Sequence, residues 1–185
     1  MTTQFQDSRT LLAKYQGRTP RYTSYPPATA FHEVDSQIVH SAYLNAKESE
    51  GPLSLYVHLP FCKSMCRFCG CSAIASPTGK LWTPYLEALK KELTLISSRL
   101  ERPRVLTQIH WGGGSPNWLS LEETESLFMF IKDLFIIDEK ADLSIEIAPQ
   151  SIHEGALMLL QRLGFNRISF GVQSLDPLVQ ASIGR

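Results

Sequence analysis

The sequence has no surplus of either charge and no long apolar run. Its 185 residues include 18 basic and 18 acidic side chains, so the formal net charge is zero. A neutral chain lacks the bulk attraction to nucleic acid and to anionic lipid that a basic chain has, and we expect neither partner. No stretch approaches the ~20 apolar residues that a membrane span needs. The first residues lack the basic and then apolar profile of a signal peptide, so we expect a cytoplasmic location.

Cysteine is also scarce, and all four cysteines lie close together, at Cys62, Cys66, Cys69 and Cys71. Disulfides between them would close only very small loops, and a reducing compartment disfavours them. A structural zinc site usually takes two ligand pairs from separate segments, and no second pair exists. The Cys-x3-Cys-x2-Cys spacing therefore favours an iron–sulfur cluster, with zinc as the alternative.

Three cysteine ligands would leave the fourth iron of a four-iron cluster open to a substrate or cofactor. If Cys71 were the fourth ligand, the cluster would instead serve electron transfer. The spacing leaves both possibilities open.

From residue 53 onward, strand patterns alternate with helix patterns four times. The predicted strands cover 53–59, 105–111, 143–148 and 167–173, and a separate helix over 36–48 precedes them, capped by Asp35. Helix starts are indicated by Thr83-Pro84, by capping boxes of Ser120 with Glu123 and Ser151 with Glu154, and by Asp176-Pro177. Gly164 ends the third of these four helices. This alternation predicts a parallel sheet with right-handed crossovers.

The predicted strands have one apolar and one polar face. In the third strand, Leu143, Ile145 and Ile147 oppose Ser144 and Glu146. A doubly wound sheet buries both faces, whereas a barrel-like sheet can line a cavity with polar side chains that contact a polar ligand. We therefore predict an α/β fold: a partial (β/α) barrel of about four strand–helix units over 51–185, after an N-terminal extension over 1–50 with one helix.

Each distinctive motif lies at the carboxyl end of a predicted strand, where parallel barrels hold their sites. The cysteine loop follows the first strand, three glycines follow the second, Glu146 lies late in the third, and Gln173 ends the fourth. The glycines allow close backbone approach to a ligand or form a turn. Glu146 binds a cationic ligand or forms a structural ion pair. His58 and His110 are more typical of hydrogen-bonded core residues.

The cysteine loop, with Phe68 before its last ligand, resembles the signature of radical S-adenosylmethionine (SAM) enzymes. Gly70-Cys71 and the segment Pro-Arg-Tyr-Thr-Ser-Tyr-Pro at 20–26 resemble, within that group, the oxygen-independent coproporphyrinogen III dehydrogenases (oxidases) of haem synthesis. Residues 53–60, 110–116 and 167–173 are also similar to family motifs. Two alternatives remain: a radical enzyme acting on another substrate, and the haem-chaperone-like relatives, which bind haem without turnover and typically lack Cys71 and the 20–26 segment.

The resemblance implies a set of cofactor ligands. Cys62, Cys66 and Cys69 would bind a 4Fe-4S cluster, whose open iron takes the amino and carboxylate groups of one SAM. The family binds a second SAM as well. The expected contacts are Tyr56, Gly113 and Glu146 for the first SAM, and Phe68, Gly114, Ser115, Gln173 and Arg185 for the second.

The resemblance also implies the reaction and its partners. An electron from the cluster yields a 5′-deoxyadenosyl radical, which removes a hydrogen atom from a propionate of coproporphyrinogen III. Loss of CO2 and one electron then leaves a vinyl group, and two such steps give protoporphyrinogen IX. The expected electron donor is a flavodoxin-type protein and the expected state a monomer. No catalytic residue beyond the cofactor ligands is assigned.

The sequence departs from the family at three places. Ser115 stands where threonine is usual, Ala148 stands where an acidic or amide residue is common, and the chain ends at Arg185, just inside the fourth predicted helix. Family members continue far beyond that point, and a full eightfold barrel takes about 250 residues. We therefore expect an N-terminal portion that binds the cofactors without turnover.

Overall fold

The structure is a computed structural model that describes Thr10, Ala13, Lys14 and residues 30–185. The chain divides into two compact units, residues 1–40 and 41–185. The segment at 20–26 lies outside the described residues, and the predicted domain boundary after residue 50 stays a prediction.

Helix α1 spans Ser36–Glu48, as predicted. Its cap is also confirmed, because Oδ1 of Asp35 accepts hydrogen bonds of 2.8 Å from the backbone N–H groups of Gln37 and Ile38. A side-chain oxygen at this position satisfies N–H groups that have no partner within the helix.

Four parallel strands form the main sheet, and neighbours in the sheet follow one another along the chain. They are β1 (Leu53–Leu59), β4 (Val105–Gly113), β5 (Ile136–Ile147) and β6 (Arg167–Phe170), while β2 (Phe61–Cys62) and β3 (Ile74–Ala75) form a separate short pair. The connecting helices are α2 (Trp82–Arg99), α3 (Leu121–Leu134), α4 (Ala156–Leu163) and α5 (Pro177–Ile183). Sequential parallel strands joined by helices confirm the predicted partial (β/α) barrel.

The core lies between one face of this sheet and the helices. The predicted apolar face of β5 is buried, with Leu143, Ile145 and Ile147 each at most 5% exposed. It packs against the apolar faces of helices α2 and α3, whose buried residues include Leu86, Leu93, Leu127, Phe128 and Ile131. Burial of such a side chain contributes about 1.5–3 kcal/mol to folding. The face periodicity read from the sequence is therefore the periodicity that holds the sheet and helices together.

Three of the four predicted strands have different bounds in the structure. Strand β4 extends two residues beyond its predicted end, to Gly113. Strand β5 begins at Ile136, seven positions before Leu143, and its pairing with β4 shifts register between Leu106 and Gln108. Strand β6 ends at Phe170, so Gln173 does not end a strand. Strand β5 itself ends at Ile147, whose carbonyl accepts from Gly171 N–H at 3.0 Å, and beyond it β6 has nothing left to pair with.

The predicted capping box of Ser151 with Glu154 is wrong. Residues Pro149–Ser151 form a 3-10 turn that places Ser151 in a buried position, and α4 starts only after Gly155, whose φ is 77°. The helix predicted to open at Thr83-Pro84 begins one residue earlier, at Trp82, and has no side-chain cap. The remaining two helix starts are confirmed. Ser120 and Glu123 form the full capping box, and the Asp176 side chain accepts from two backbone N–H groups of α5.

Among the described residues, no helix has the length and apolar composition required to cross a membrane.

Candidate functional site

Three elements place the predicted site residues at the carboxyl edge of the sheet. The loop after β1 carries the cysteines, β4 runs into the glycines, and Glu146 is the second-last residue of β5. Backbone hydrogen bonds join the first two of these, from Gly114 N–H to the Leu59 carbonyl (2.9 Å) and from Ser115 N–H to the Phe61 carbonyl (3.0 Å). The edge is thus one continuous structure in which loop and glycine run are fixed to each other.

The cysteine loop has its own supports. It leaves from β2, where Cys62 pairs with Ala75, and its tip is held to the end of α5 because Arg67 donates to the carbonyls of Ile183 (3.0 Å) and Ser182 (3.1 Å). The first three cysteines are partly buried and Cys71 is exposed.

The thiol of Cys62 receives a hydrogen bond from the hydroxyl of Ser115, with Oγ and Sγ 3.3 Å apart. Burial raises the pKa of this thiol, and Cys69 and Cys66 raise it further, while Ser115 and Arg185 act in the opposite direction. The pKa of Cys71 is raised too, first by burial and then by Cys69. The thiols are therefore near enough to repel one another as thiolates, a cost that a bound cationic centre would remove.

The donor chemistry fits an iron–sulfur cluster. In the part of the chain that the structure describes, no group of three or more His, Cys, Asp or Glu residues is arranged to hold a single metal ion. Three thiols on one compact loop are typical cluster ligands, and a hydroxyl donor to a ligand sulfur is one way in which proteins tune such clusters. Cys62, Cys66 and Cys69 are the residues of this chain that would hold it.

The glycines are required by close packing. A Cβ atom on Gly114 would lie 2.7 Å from the carbonyl carbon and oxygen of Pro60, and one on Gly113, whose φ is 114°, would lie 2.6 Å from Cε1 of His58. Both contacts are shorter than side-chain carbons tolerate. Gly112 and Gly113 thus belong to the end of strand β4 and not to a tight turn, and contact of these glycines with a ligand stays a prediction.

Glu146 is held by two donors from β4. Its Oε2 accepts from Gly113 N–H at 3.1 Å, and its Oε1 lies 3.4 Å from Nε2 of His110. The side chain remains 44% exposed, so the carboxylate keeps lone pairs that face solvent. Two residues expected to bind the same ligand, Gly113 and Glu146, therefore contact each other directly.

Tyr56 belongs to a hydrogen-bonded chain with His58. The Ser72 carbonyl, 2.9 Å from Nε2 of His58, can only accept, so Nε2 carries the proton and Nδ1 accepts from the Tyr56 hydroxyl at 3.1 Å. Burial raises the pKa of Tyr56, followed by Glu146 and Cys71. The phenol ring stacks on His110 with centroids 5.7 Å apart and planes 17° apart.

The structure brings two hydrogen-bonded histidines, His58 and His110, to the candidate site beside Tyr56. The sequence feature that could have found them is their position. His58 lies two residues after Tyr56 on the same polar face of β1, and His110 is the register partner of Tyr56 on β4. Only the strand register shows that the three rings meet.

The residues expected at the second SAM are partly brought together. The Arg185 guanidinium lies over the Phe68 ring at 5.9 Å and donates to Oε1 of Gln150 at 3.3 Å. The buried Nε of Arg185 has no partner among the described atoms. Gln173 is exposed, with a positive φ of 67° and no side-chain hydrogen bond to another described residue.

Comparison with known proteins places this geometry in context. Residues 56–185 match the model of the radical SAM superfamily. The chain is 43% identical to the oxygen-independent coproporphyrinogen III oxidase of Synechocystis over all of its own length and 41% of the relative's. It is 38% identical to the corresponding oxidase of Cereibacter sphaeroides, over 94% of this chain and 39% of the relative.

A solved structure is also similar: coproporphyrinogen III oxidase from Escherichia coli, described as a radical SAM enzyme. The TM-score is 0.80 at 37% identity, over 95% of this chain and 39% of that one. The chain thus spans about two fifths of the length of the relatives it matches.

Proposed function

The chain belongs to the radical SAM superfamily, and from that membership we propose that it acts in the oxygen-independent oxidation of coproporphyrinogen III to protoporphyrinogen IX. The observation that carries the proposal is the contact between Ser115 and Cys62, which joins the cysteine loop to the glycine run. It supports a site in which the proposed cluster ligands lie at the same edge of the sheet as Glu146 and Tyr56. When bound, the cluster and SAM supply a reducing electron and a carbon radical that removes a hydrogen atom from the substrate.

The residues of this chain bind and orient these groups. Cys62, Cys66 and Cys69 supply thiolates, and Ser115 donates to the first of them. The carboxylate of Glu146 and the hydroxyl oxygen of Tyr56, whose proton goes to His58, offer acceptors to the amino and hydroxyl groups of one SAM.

A second SAM would lie between Phe68 and Arg185. The buried Nε–H of Arg185 supports this placement, because it is a donor without a protein acceptor among the described residues. A carboxylate is the group that a guanidinium binds best. Gly114, Ser115 and Gln173 complete the proposed set.

The electron donor is proposed to be an acidic protein of the flavodoxin type that docks on the cysteine-loop side. Between Glu50 and Glu87 the sequence has no acidic residue but has Lys63, Arg67 and Lys80, all exposed. An excess of positive charge around the loop steers an acidic partner to the cluster.

Docking is tested by charge reversal. Lys63→Glu with Lys80→Glu is expected to slow cluster reduction by reduced flavodoxin about tenfold at low salt, and to leave reduction by an uncharged small-molecule reductant unchanged. Lys132→Glu, on α3, is the matched control. Equal slowing with both reductants would contradict the docking site.

The function itself is tested in two steps. After anaerobic reconstitution the chain should bind four irons, and SAM should change the magnetic resonance signal of the reduced cluster. Next, a chimera in which this chain replaces the matched part of the Escherichia coli oxidase should convert coproporphyrinogen III without oxygen, and its Cys62→Ser version should not. A zinc protein without iron would contradict the cofactor assignment, and haem capture without turnover would favour the chaperone-like alternative.

A further inference from the structure

Three polar residues form a hydrogen-bonded line across the polar face of the sheet. His110 on β4 and Ser144 on β5 are register partners, and Nδ1 of His110 lies 2.7 Å from Oγ of Ser144. Glu146 follows Ser144 by two positions, so it shares the same face and meets Nε2 of His110 at 3.4 Å. The imidazole ring of His110 thus links the buried hydroxyl of Ser144 to the partly exposed carboxylate of Glu146.

The protons in this line can be counted. Ser144 Oγ has one proton, and it lies 3.3 Å from the Ile109 carbonyl as well as 2.7 Å from His110. If that proton goes to His110 Nδ1, the neutral ring carries its own proton on Nε2. If it goes to the carbonyl, Nδ1 must donate to Ser144, and contact of Nε2 with a carboxylate then requires the doubly protonated ring. In both arrangements Nε2–H donates to Glu146, because two acceptors would repel.

The ring itself has little freedom to turn. Tyr56 stacks on it at 5.7 Å, and a Cβ atom on Gly112 would lie 3.0 Å from His110 Nε2 and 3.1 Å from Oε2 of Glu146. A larger residue at Gly112 would push against both members of the pair. The absence of a side chain there leaves the space in which His110 and the carboxylate meet.

The pair contributes little to the stability of the fold. The side chains of His110 and Glu146 are 35% and 44% exposed, and ion pairs so accessible to water add little to the free energy of folding. What the pair does provide is orientation. Two donors, His110 Nε2–H and Gly113 N–H, occupy one lone pair on each carboxylate oxygen and leave the others unoccupied on the partly exposed polar face of the sheet.

We propose that His110 is a positioning residue that aims the carboxylate of Glu146 at the amino or hydroxyl groups of bound SAM, with Ser144 directing the Nε2 proton toward that carboxylate. The inference rests on the proposed function for the identity of the ligand. It deepens that function, because it assigns a role to a histidine that does not itself touch the ligand. The 3.4 Å contact is long, and hydrogen bonds of this kind often tighten when the ligand binds.

A double-mutant cycle tests whether His110 acts through Glu146. In the cluster-loaded protein, His110→Phe keeps a ring to stack on Tyr56 but has no donor, and we expect the SAM dissociation constant to rise about tenfold. In a Glu146→Ala background, His110→Phe should raise the SAM dissociation constant less than twofold. His110→Gln, which keeps a terminal N–H donor, should restore most of the affinity. His153→Phe is the matched control, since His153 also stacks on an aromatic ring, that of Trp118, away from this face.

Equal losses from His110→Phe in both backgrounds, or no loss in either, would overturn the inference. Ser144→Ala provides a second variant that leaves every ring in place. It should weaken SAM binding about threefold, and only while Glu146 is present.

A second readout does not depend on SAM. In the cluster-free chain, the Gly113 amide donates to Glu146, and its hydrogen exchange should accelerate about tenfold in His110→Phe if the imidazole holds the carboxylate in place. Unchanged exchange would contradict the inference. If the wild-type protein bound no SAM, the proposed function would fail, yet exchange at Gly113 would still decide whether His110 orients Glu146.

Discussion

The hydroxyl of Ser115 donates a hydrogen bond to the sulfur of Cys62 across 3.3 Å, although the two residues lie 53 positions apart. Hydrogen bonds to ligand sulfurs stabilise the reduced, more negative form of an iron–sulfur cluster. Ser115→Ala should therefore lower the cluster's reduction potential by roughly 30–60 mV, where 59 mV corresponds to a tenfold change in a one-electron equilibrium. A redox titration checks this. Ser115→Thr keeps the hydroxyl and should titrate like the wild type, and an unchanged potential in the alanine variant would show that the contact has no electronic effect.

Cys71 differs from the other three cysteines in its exposure. We predict that Cys71→Ser retains four irons per chain and the SAM-dependent change in the cluster signal, because three thiolates already leave one iron for the cofactor. Cys62→Ser, Cys66→Ser and Cys69→Ser should each lose the cluster. Iron and sulfide analysis after anaerobic reconstitution distinguishes the two groups. Loss of the cluster in Cys71→Ser as well as in the other three variants would instead indicate an electron-transfer cluster with Cys71 as fourth protein ligand.

Gly114 has no room for a side chain. A Cβ atom would lie 2.7 Å from backbone atoms of Pro60, which cannot move aside without displacing the start of β2. Gly114→Ala should therefore lower the free energy of unfolding by about 2–3 kcal/mol, as overpacking does elsewhere. Gly70→Ala is the control within the same site, because nothing lies within 4 Å of its Cβ position, and its effect should stay within about 0.5 kcal/mol. Denaturant unfolding of the metal-free chain measures both, and equal effects would refute the packing argument.

Much of the fold was predictable because local patterns agree with it. The polar and apolar sides of β1, the cap by Asp35 and the box of Ser120 with Glu123 each depend on residues within four positions of one another. The exceptions have local causes as well. The first half of β5 contains three consecutive charged residues, Asp138, Glu139 and Lys140, which interrupt the alternating pattern by which a strand is predicted. Pro149 starts a 3-10 turn, although the spacing of Ser151 and Glu154 matches that of a capping box.

The edge of the sheet at which the candidate residues lie was predictable, but their contacts were predictable only in part. The cysteine spacing and the carboxyl-end placement select Cys62 and Glu146 as candidates without a structure, and their roles as ligands stay predictions. The bond from Gly113 to Glu146, by contrast, joins residues 33 positions apart and depends on the register of β4 against β5. A lone histidine is usually a core residue, so nothing in the sequence distinguishes His110 from that common case.

Asn117 fixes the end of β5 with a buried side chain. Its Oδ1 accepts from the backbone N–H of Ala148 at 2.9 Å and its Nδ2 donates to the carbonyl of the same residue at 3.0 Å. Asn117→Ala leaves the buried Ala148 N–H without a partner, while the Ala148 carbonyl still accepts from the Ser151 N–H at 3.0 Å, so we expect a loss of about 1–3 kcal/mol in the free energy of unfolding. Asn117→Asp should be at least as destabilising, because it sets an oxygen against the Ala148 carbonyl. Thermal unfolding of both variants checks this, and a stable aspartate variant would mean that water replaces the donor.

Tyr85 gives the fold a weakness at alkaline pH. Its hydroxyl donates to the His58 carbonyl at 2.6 Å, and burial, followed by Glu92, raises its pKa above the ordinary value of 10.0. Between the unfolded and the folded pKa the native state binds one more proton than the unfolded chain, so the free energy of unfolding must fall as pH rises through that interval. Below pH 10 this contribution is complete. Tyr85→Phe should therefore be less stable than the wild type near neutral pH, by about 1 kcal/mol for the lost hydrogen bond. It should also show a shallower decline above pH 10, as measured by urea unfolding at intervals between pH 8 and roughly pH 11. Parallel pH curves for the two proteins would show that the phenol does not titrate with unfolding.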